Sequence, residues 1–243
     1  EVRKEDNYQH VVTGDGSSYT AKAVLIATGS SYKRLNVPGE DKYIGAGIHF
    51  CATCDGPFYK GMPVAVIGGG NSATEESVFL TKFVEKVTLL VRGDELTASK
   101  VLQDKVLAHP QIDVRFNTET VEFQGADSKL KTVVIKDRKN RKVEEIHPSG
   151  VFTFIGQNPN TGFLTDAGIE INQWGFIVSG HSLVHDEPRP SGYENRDPML
   201  LETSIPGIFA AGDVRADSTK QVASAAGEGA TAALLIREYL KSV

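Results

Sequence analysis

The chain has two cysteines, and they stand three positions apart in Cys51-Ala52-Thr53-Cys54. A pair at this spacing closes a small ring and stabilises a thiolate, the two properties that thiol–disulfide exchange requires. A secreted disulfide scaffold would use several dispersed pairs, and a structural zinc site would need two more soft ligands. His49 is the nearest of the six histidines, but no second Cys or His pair with finger-like spacing accompanies it. No metal site is expected. The remaining alternative is a pair of inert buried thiols; the redox reading is preferred because the spacing itself is redox-competent.

A second constellation follows within twenty residues. Val64-Ala65-Val66-Ile67 is a short apolar strand that runs into Gly68-Gly69-Gly70-Asn71-Ser72-Ala73. Residues from Ala73 to Phe83 read as a helix with Ser77, Leu80 and Val84 at helical spacing, and Val87–Val91 is a second apolar strand. This is the G-x-G-x-x-A form of the dinucleotide fingerprint in its βαβ setting. Its glycines let the backbone turn tightly and approach a pyrophosphate lying at the helix N-terminus. The candidate binding residues are Gly68, Gly70, Asn71, Ser72 and Ala73. An acid after the second strand suits NADH, whereas an arginine accommodates the 2′-phosphate of NADPH. Here Arg92 stands first, with Asp94 and Glu95 just beyond it, so the sequence leans to NADPH without excluding NADH.

The elements that must position these groups form an α/β chain. Residues 1–22 predict a hairpin, with Val11-Val12 and Tyr19-Thr20 on either side of Gly14-Asp15-Gly16. Ala23–Ala27 is an apolar run suited to a strand covered on both faces. Pro38-Gly39 punctuates a loop before the cysteines. Leu102–Leu107 reads as helix, Ile112–Phe116 as a half-buried strand, and Val121–Phe123 with Val133–Ile135 as a meander whose charged tip, Lys136–Lys142, is a solvated turn with no role in binding. Gly150–Gly156 is another buried strand. Gly207–Asp213 is a strand ending on an acid, and a helix from about Gln221 to Tyr239 begins among small residues that let a flat group approach closely.

Composition bounds the setting. The chain has 243 residues, 40% hydrophobic and 23% charged, with a net charge of -5. This is ordinary globular composition, without the basic block that nucleic acid or an anionic membrane surface would call for. No apolar run nears the roughly 20 residues of a membrane span, and Glu1–Asp6 is too charged for a signal-peptide core. A cytoplasmic protein is expected.

Taken together, the motifs resemble the thioredoxin reductases of low molecular weight found in bacteria. Four matches fall in that family's order: Ala27-Thr28-Gly29, Cys51-Ala52-Thr53-Cys54-Asp55-Gly56, Gly68 through Ala73, and Ile208-Phe209-Ala210-Ala211-Gly212-Asp213. Ile155-Gly156 with Pro159-Asn160 matches the return between domains. The resemblance implies two Rossmann-like dinucleotide-binding domains, with residues 1–33 and 157–243 on the FAD side and residues 34–156 an inserted NAD(P)H domain that carries the dithiol. It implies FAD and NADPH as cofactors, thioredoxin or a similar small disulfide protein as partner, and a homodimer. By position, Cys54 faces the flavin, Cys51 attacks the partner, and Asp55 serves the thiols as acid–base group, although Asp-Gly is also a common turn pair. Thr28, Gly29, Gly156, Gly212, Asp213, Gln221, Val222 and Ala223 fall on the cofactor side, Asp213 also being a possible N-cap. The domains would take turns at the flavin by rotation on hinges near Tyr32–Arg34 and Gly156–Gln157.

Three departures from the family pattern are visible. No first glycine fingerprint of a flavin domain precedes Glu1, so the FAD domain reads as incomplete at its N-terminus and weak FAD binding is expected of the chain as it stands. The stretch after Val91 lacks the family's basic cluster, having Gly93 and Thr97 instead. Ser179–Asp197 is long and polar, with Pro188, Pro190 and Gly192, and reads as an inert surface insertion. Two alternatives stay open: a related reductase with another donor or acceptor, such as ferredoxin or a peroxiredoxin, and a catalytically incomplete nucleotide-binding fragment.

Overall fold

The structure is a computed structural model that describes residues 1–5, 8–185 and 189–243. It resolves into two compact units: Glu1–Ser31 with Gln157–Val243, and Tyr32–Gly156.

The first unit opens with three antiparallel strands, β1 (Val2–Glu5), β2 (Tyr8–Val12) and β3 (Ser18–Ala21). The expected hairpin is the β2–β3 pair, in register Val11 to Tyr19. β1 adds a third strand, pairing Val2 with Val11. β4 (Val24–Ile26) follows, and then β5 (Ser30–Tyr32).

The second unit holds the cysteines and the glycine turn. Its elements in order are α1 (Glu40–Tyr43), β6 (Ile48–His49), α2 (Ala52–Asp55), a 3-10 turn over Gly56–Tyr59, β7 (Pro63–Ile67), α3 (Asn71–Leu80), β8 (Lys86–Leu90) and α4 (Lys100–Leu107). β9 (Ile112–Arg115), β10 (Thr118–Ala126), β11 (Lys129–Asp137), β12 (Val143–Ile146) and β13 (Gly150–Thr153) complete it. Five strands form a parallel sheet in the order β6-β13-β7-β8-β9, while β10-β11-β12 make a separate antiparallel meander. The continuous apolar character of β7 has a direct cause. Val64 and Val66 pack toward Ala73, Leu80 and Val106 of the helices, whereas Ala65 and Ile67 pack toward Phe123, Val133 and Ile135 of the meander. A strand covered on both faces has no polar side to alternate. α3 begins at Asn71, two residues before the expected start, because Gly70 already serves as its N-cap with extended backbone.

The chain re-enters the first unit through β14 (Gln157–Pro159), runs to β15 (Ile208–Ala210) and ends in α5 (Val222–Tyr239). β15 pairs with β4 in parallel, Phe209 opposite Leu25. The β4 run, expected to be covered on both faces, is covered mainly on one: Ile26 is buried, whereas Leu25, on the opposite face, is 37% exposed. The 179–197 segment also departs from its expectation of an inert surface loop. Pro188 lies outside the described residues. Tyr193, in contrast, is fully buried, and its hydroxyl donates to the Thr203 carbonyl at 2.7 Å. A segment that contributes a buried tyrosine is part of the core of its unit.

Candidate redox and dinucleotide site

Cys51 and Cys54 form a disulfide with Cα atoms 5.3 Å apart. α2 starts at this bond: Cys51 is its N-cap, and the Sγ of Cys51 accepts the backbone N–H of Cys54 at 3.1 Å. Cys51 is half-buried, whereas Cys54 and Phe58 are exposed, Phe58 by 77%. Asp55 closes the helix, and its Oδ2 lies 3.2 Å from Nδ1 of His49. On the other side of that ring, Nε2 is 2.6 Å from the hydroxyl of Tyr59. Composition and spacing raise His49 only as a metal ligand; its nearness to both cysteines in the chain is the signal that could link it to Asp55. Burial holds the imidazole below its ordinary pKa, although the Asp55 carboxylate pulls in the opposite direction. Burial, and then the charge of Asp55, push the Tyr59 phenol up.

In the same unit, β7 delivers the chain into the glycine turn. Gly68 has φ +147°, and a Cβ there would lie 2.4 Å from the Phe154 carbonyl oxygen and 2.7 Å from the Ala73 side chain. Only glycine fits this turn. No side chain caps α3 at Gly70, so the first-turn amides over Asn71, Ser72 and Ala73 remain open for an anion. The turn is closed from one side by Thr97, whose N–H and hydroxyl both donate to the Gly69 carbonyl at 2.8 and 3.2 Å. Asn71 is committed locally as well, its Oδ1 accepting the Ser99 N–H at 2.7 Å. Neither clamp is legible in the sequence.

Arg92 is exposed just past β8, and the charged meander tip does not stay clear of it. Arg138 donates from Nη1 to the Arg92 carbonyl at 3.0 Å and lies 3.7 Å from Glu119, which also pairs with Lys136 at 3.2 Å. The expectation of a merely solvated turn is corrected for Arg138, because the backbone bond from Arg138 N–H to Asn117 draws the tip over the strand end. Gly156, at φ +100°, accepts the Lys33 N–H at 3.0 Å within this unit.

The first unit has its own candidate site at the end of β15. Gly212 takes φ +75°, and the Cβ of Ala225 on α5 comes to 3.4 Å of where a Gly212 side chain would start. The Gly212 N–H donates to Glu228 Oε2 at 2.7 Å, and Arg215 donates to the same carboxylate at 2.7 Å. Asp213 carries a buried Oδ1 with no hydrogen-bond partner, while its backbone carbonyl accepts the ammonium of Lys220 at 2.9 Å. Lys220 has φ +56° and sits 4.1 Å above the Phe176 ring. Gln221, Val222 and Ala223 are exposed at the start of α5, Val222 by 87%. Thr28 and Gly29 are bonded to Asn160: the Thr28 hydroxyl donates to its carbonyl at 2.8 Å, and the Asn160 N–H donates to the Gly29 carbonyl at 2.9 Å.

A disulfide beside an acid, on the same unit as a βαβ glycine turn, defines the class of the protein. The family model for pyridine nucleotide-disulphide oxidoreductases matches residues 2–229, and the chain belongs to that family, in its thioredoxin reductase group. It is 40% identical over 242 residues to a thioredoxin reductase of Treponema pallidum, covering all of this chain and 72% of that protein. It is 37% identical over 236 residues to an alkyl hydroperoxide reductase component of Escherichia coli, covering 97% of this chain and 42% of that one. Among solved structures, a thioredoxin reductase from Streptococcus pyogenes superposes with a TM-score of 0.84 at 39% identity, over all of this chain and 73% of that one. The chain is thus an oxidoreductase of a flavin- and nicotinamide-dependent disulfide reductase family, and FAD and NADPH are the cofactors that membership implies. The residues present fit both groups. The open amides of α3 behind Gly68 suit a pyrophosphate, and the orphaned Asp213 Oδ1, beside a helix start rich in alanine and glycine, suits a ribityl hydroxyl and a flat ring. Among the described residues, no helix is long and apolar enough to cross a membrane.

Proposed function

We propose that this chain carries the disulfide-reducing centre of an NADPH-dependent thioredoxin reductase, a cytoplasmic homodimer, with Cys51 and Cys54 as the redox pair. The observation that carries the reading is the position of the pair: a disulfide at the surface of the unit that also holds the dinucleotide turn, with an acid immediately beside it.

In this reading Gly68, Gly70, Ser72 and Ala73 cradle the nicotinamide dinucleotide, Asn71 keeps the turn in shape, and Arg92 faces its 2′-phosphate. Asp213, with Gln221, Val222 and Ala223, holds the flavin in the other unit, while Thr28 and Gly29 with Asn160 shape the neighbouring loop. FAD, when bound and reduced by NADPH, would supply the electron pair that opens the disulfide. Two electrons and two protons convert Cys51–Cys54 to the dithiol, and Asp55 exchanges the proton at the sulfurs. The Cys54 N–H that bonds Cys51 Sγ favours a thiolate on Cys51, which supports Cys51 as the attacking sulfur. That thiolate attacks the acceptor's disulfide, forming a mixed disulfide and releasing one acceptor thiolate. Cys54 then attacks Cys51, breaking the mixed bond, re-forming the intramolecular disulfide and freeing the reduced acceptor. The exposed ring of Phe58, four residues from Cys54, offers apolar contact to a protein acceptor. Domain rotation would use hinges near Tyr32–Arg34 and Gly156–Gln157, close to where the chain passes from one unit to the other.

The test is a visible spectrum of the protein loaded with FAD, before and after anaerobic NADPH, followed by thioredoxin. Bleaching, then reoxidation by thioredoxin that Cys51→Ser abolishes, is the expected result. Bleaching without thioredoxin-dependent reoxidation overturns the acceptor. The likeness to the alkyl hydroperoxide reductase component supports a second reading with a peroxidase-linked disulfide protein as acceptor, and running that acceptor in the same assay separates the two.

A further inference from the structure

Beside the disulfide, three side chains form one hydrogen-bonded line. Asp55 Oδ2 meets Nδ1 of His49 at 3.2 Å, and Nε2 of His49 meets the Tyr59 hydroxyl at 2.6 Å. A neutral imidazole donates from one nitrogen and accepts at the other. The carboxylate can only accept, so the Nδ1–H donates to Asp55 and the Tyr59 O–H donates to Nε2. The ring has little freedom to do otherwise. Its side chain is 12% exposed, Phe152 lies against it with centroids 5.4 Å apart, and the Tyr59 ring meets it edge-on at 5.4 Å. The sheet is built to admit this stack. A Cβ on Gly150 would fall 2.4 Å from the Tyr59 ring, so the glycine at the start of β13 leaves the space the tyrosine occupies.

We infer that His49 is a positioning residue for Asp55: with Tyr59 behind it, it holds the carboxylate in one orientation beside the dithiol and so sets the pH at which the reduced pair becomes reactive. The inference rests on the reading of Cys51–Cys54 as the redox pair and of Asp55 as its acid–base group. The titratable groups that face the imidazole are Asp55 from α2 and Tyr59 from the 3-10 turn, while β13 presents the uncharged Phe152. Burial lowers the pKa of the ring against the pull of the Asp55 carboxylate, and the role of His49 rests on the geometry of its two hydrogen bonds. Its contribution is the single N–H that steadies the carboxylate anion.

The experiment needs no cofactor turnover. The full chain is reduced, and the rate of alkylation of Cys51 and Cys54 by iodoacetamide is followed by mass spectrometry across about pH 5 to 10. His49→Asn places an amide nitrogen near the Nδ1 position, whereas His49→Gln places it near Nε2 and leaves Asp55 without its donor. The expected result is that His49→Gln displaces the rising limb of the rate profile by about one pH unit, roughly tenfold in rate at a fixed pH, and that His49→Asn restores the limb toward wild type. Tyr59→Phe, which removes only a hydroxyl, is expected to move it the same way by about threefold, and decides the matter if His49→Gln does not fold. A wild-type profile in His49→Gln, equal displacement in both His49 variants, or an unmoved profile in Tyr59→Phe when it alone can be measured, overturns the inference. Asp55→Asn separates the two levels. If it leaves the profile unchanged, the acid–base role of Asp55 fails; if it shifts the profile while His49→Gln does not, only the role of His49 fails.

Discussion

Arg196 holds Glu202 in a bidentate pair, Nη1 to Oε2 at 2.7 Å and Nη2 to Oε1 at 2.8 Å. The carboxylate is fully buried, and it also accepts the backbone N–H groups of Met199 and Gly207 at 2.9 and 3.0 Å. The guanidinium in turn lies 4.9 Å from the ring centroid of Tyr193. Arg196 and Tyr193 are thereby locked to the start of β15, where Gly207 enters the strand.

Glu202→Ala should therefore be destabilising. It strands the Met199 and Gly207 amides and leaves Arg196, 37% exposed, with the Asp197 carbonyl at 3.1 Å, a loss of about 1–3 kcal/mol. Urea unfolding followed by Trp174, the single tryptophan and a member of the same unit, measures it. A change within experimental error would show that the pair contributes nothing net.

Glu228 gives a pH signature. Burial pushes its carboxyl up, but the Arg215 guanidinium and the Gly212 amide outweigh that and hold it below the ordinary carboxylate range. A depressed folded pKa stabilises above the unfolded value, and the gain is lost as pH falls through the folded one. The stability gap between wild type and Glu228→Gln should be about 1–3 kcal/mol near neutrality and should shrink as pH drops below about 4. Urea midpoints at a series of pH values test this.

Gly150→Ala should cost about 1–3 kcal/mol by overpacking, because the new methyl enters the Tyr59 ring. Denaturation followed by far-ultraviolet circular dichroism reads the loss. The same variant should disturb the His49 stack, so its alkylation profile should move with that of His49→Gln.

Gly68→Ala should weaken NADPH binding at least tenfold and destabilise the unit by about 1–3 kcal/mol, since it demands φ +147° and collides with the Phe154 carbonyl. Gly69→Ala is the milder comparison: its backbone needs no positive φ, and its Cβ would meet only Cγ1 of Val91, at 3.1 Å. Calorimetric titration with NADPH distinguishes the two.

Arg92→Ala should lower affinity for NADPH by about tenfold while leaving NADH nearly unchanged, the loss of one charge-assisted contact at an exposed site. Arg138→Ala should have a smaller effect of the same sign, because its guanidinium is shared with the Arg92 carbonyl and Glu119. Equal losses for both nucleotides would remove Arg92 from the 2′-phosphate.

The sequence by itself determined what short stretches of backbone encode. Cys51 and Cys54 are three residues apart, and that spacing alone permits the ring their disulfide closes. The turn at Gly68 demands an absent side chain, and β7 demands apolar residues on both faces, so strand, turn and helix were legible in order. The strand ahead of Asp213 was legible too, although it stops at Ala210 and Asp213 lies in the 3-10 turn Gly212–Val214. Only the tertiary structure decided which polar groups meet. Thr97 and Ser99 clamp the glycine turn from 28 residues away, and Arg138 reaches Arg92 across 46. Glu228 returns to Gly212 from the second turn of α5, and Tyr193 sinks into a core from a stretch whose composition reads as surface. The physical reason is one of range. Propensity and periodicity act over a few bonds, whereas these contacts depend on where parallel strands and a meander bring distant loops. His49 stands between the two cases: it is close to Asp55 and Tyr59 in the chain, yet only the pairing of β6 with β13, and the space Gly150 leaves, turn three neighbours into one hydrogen-bonded unit.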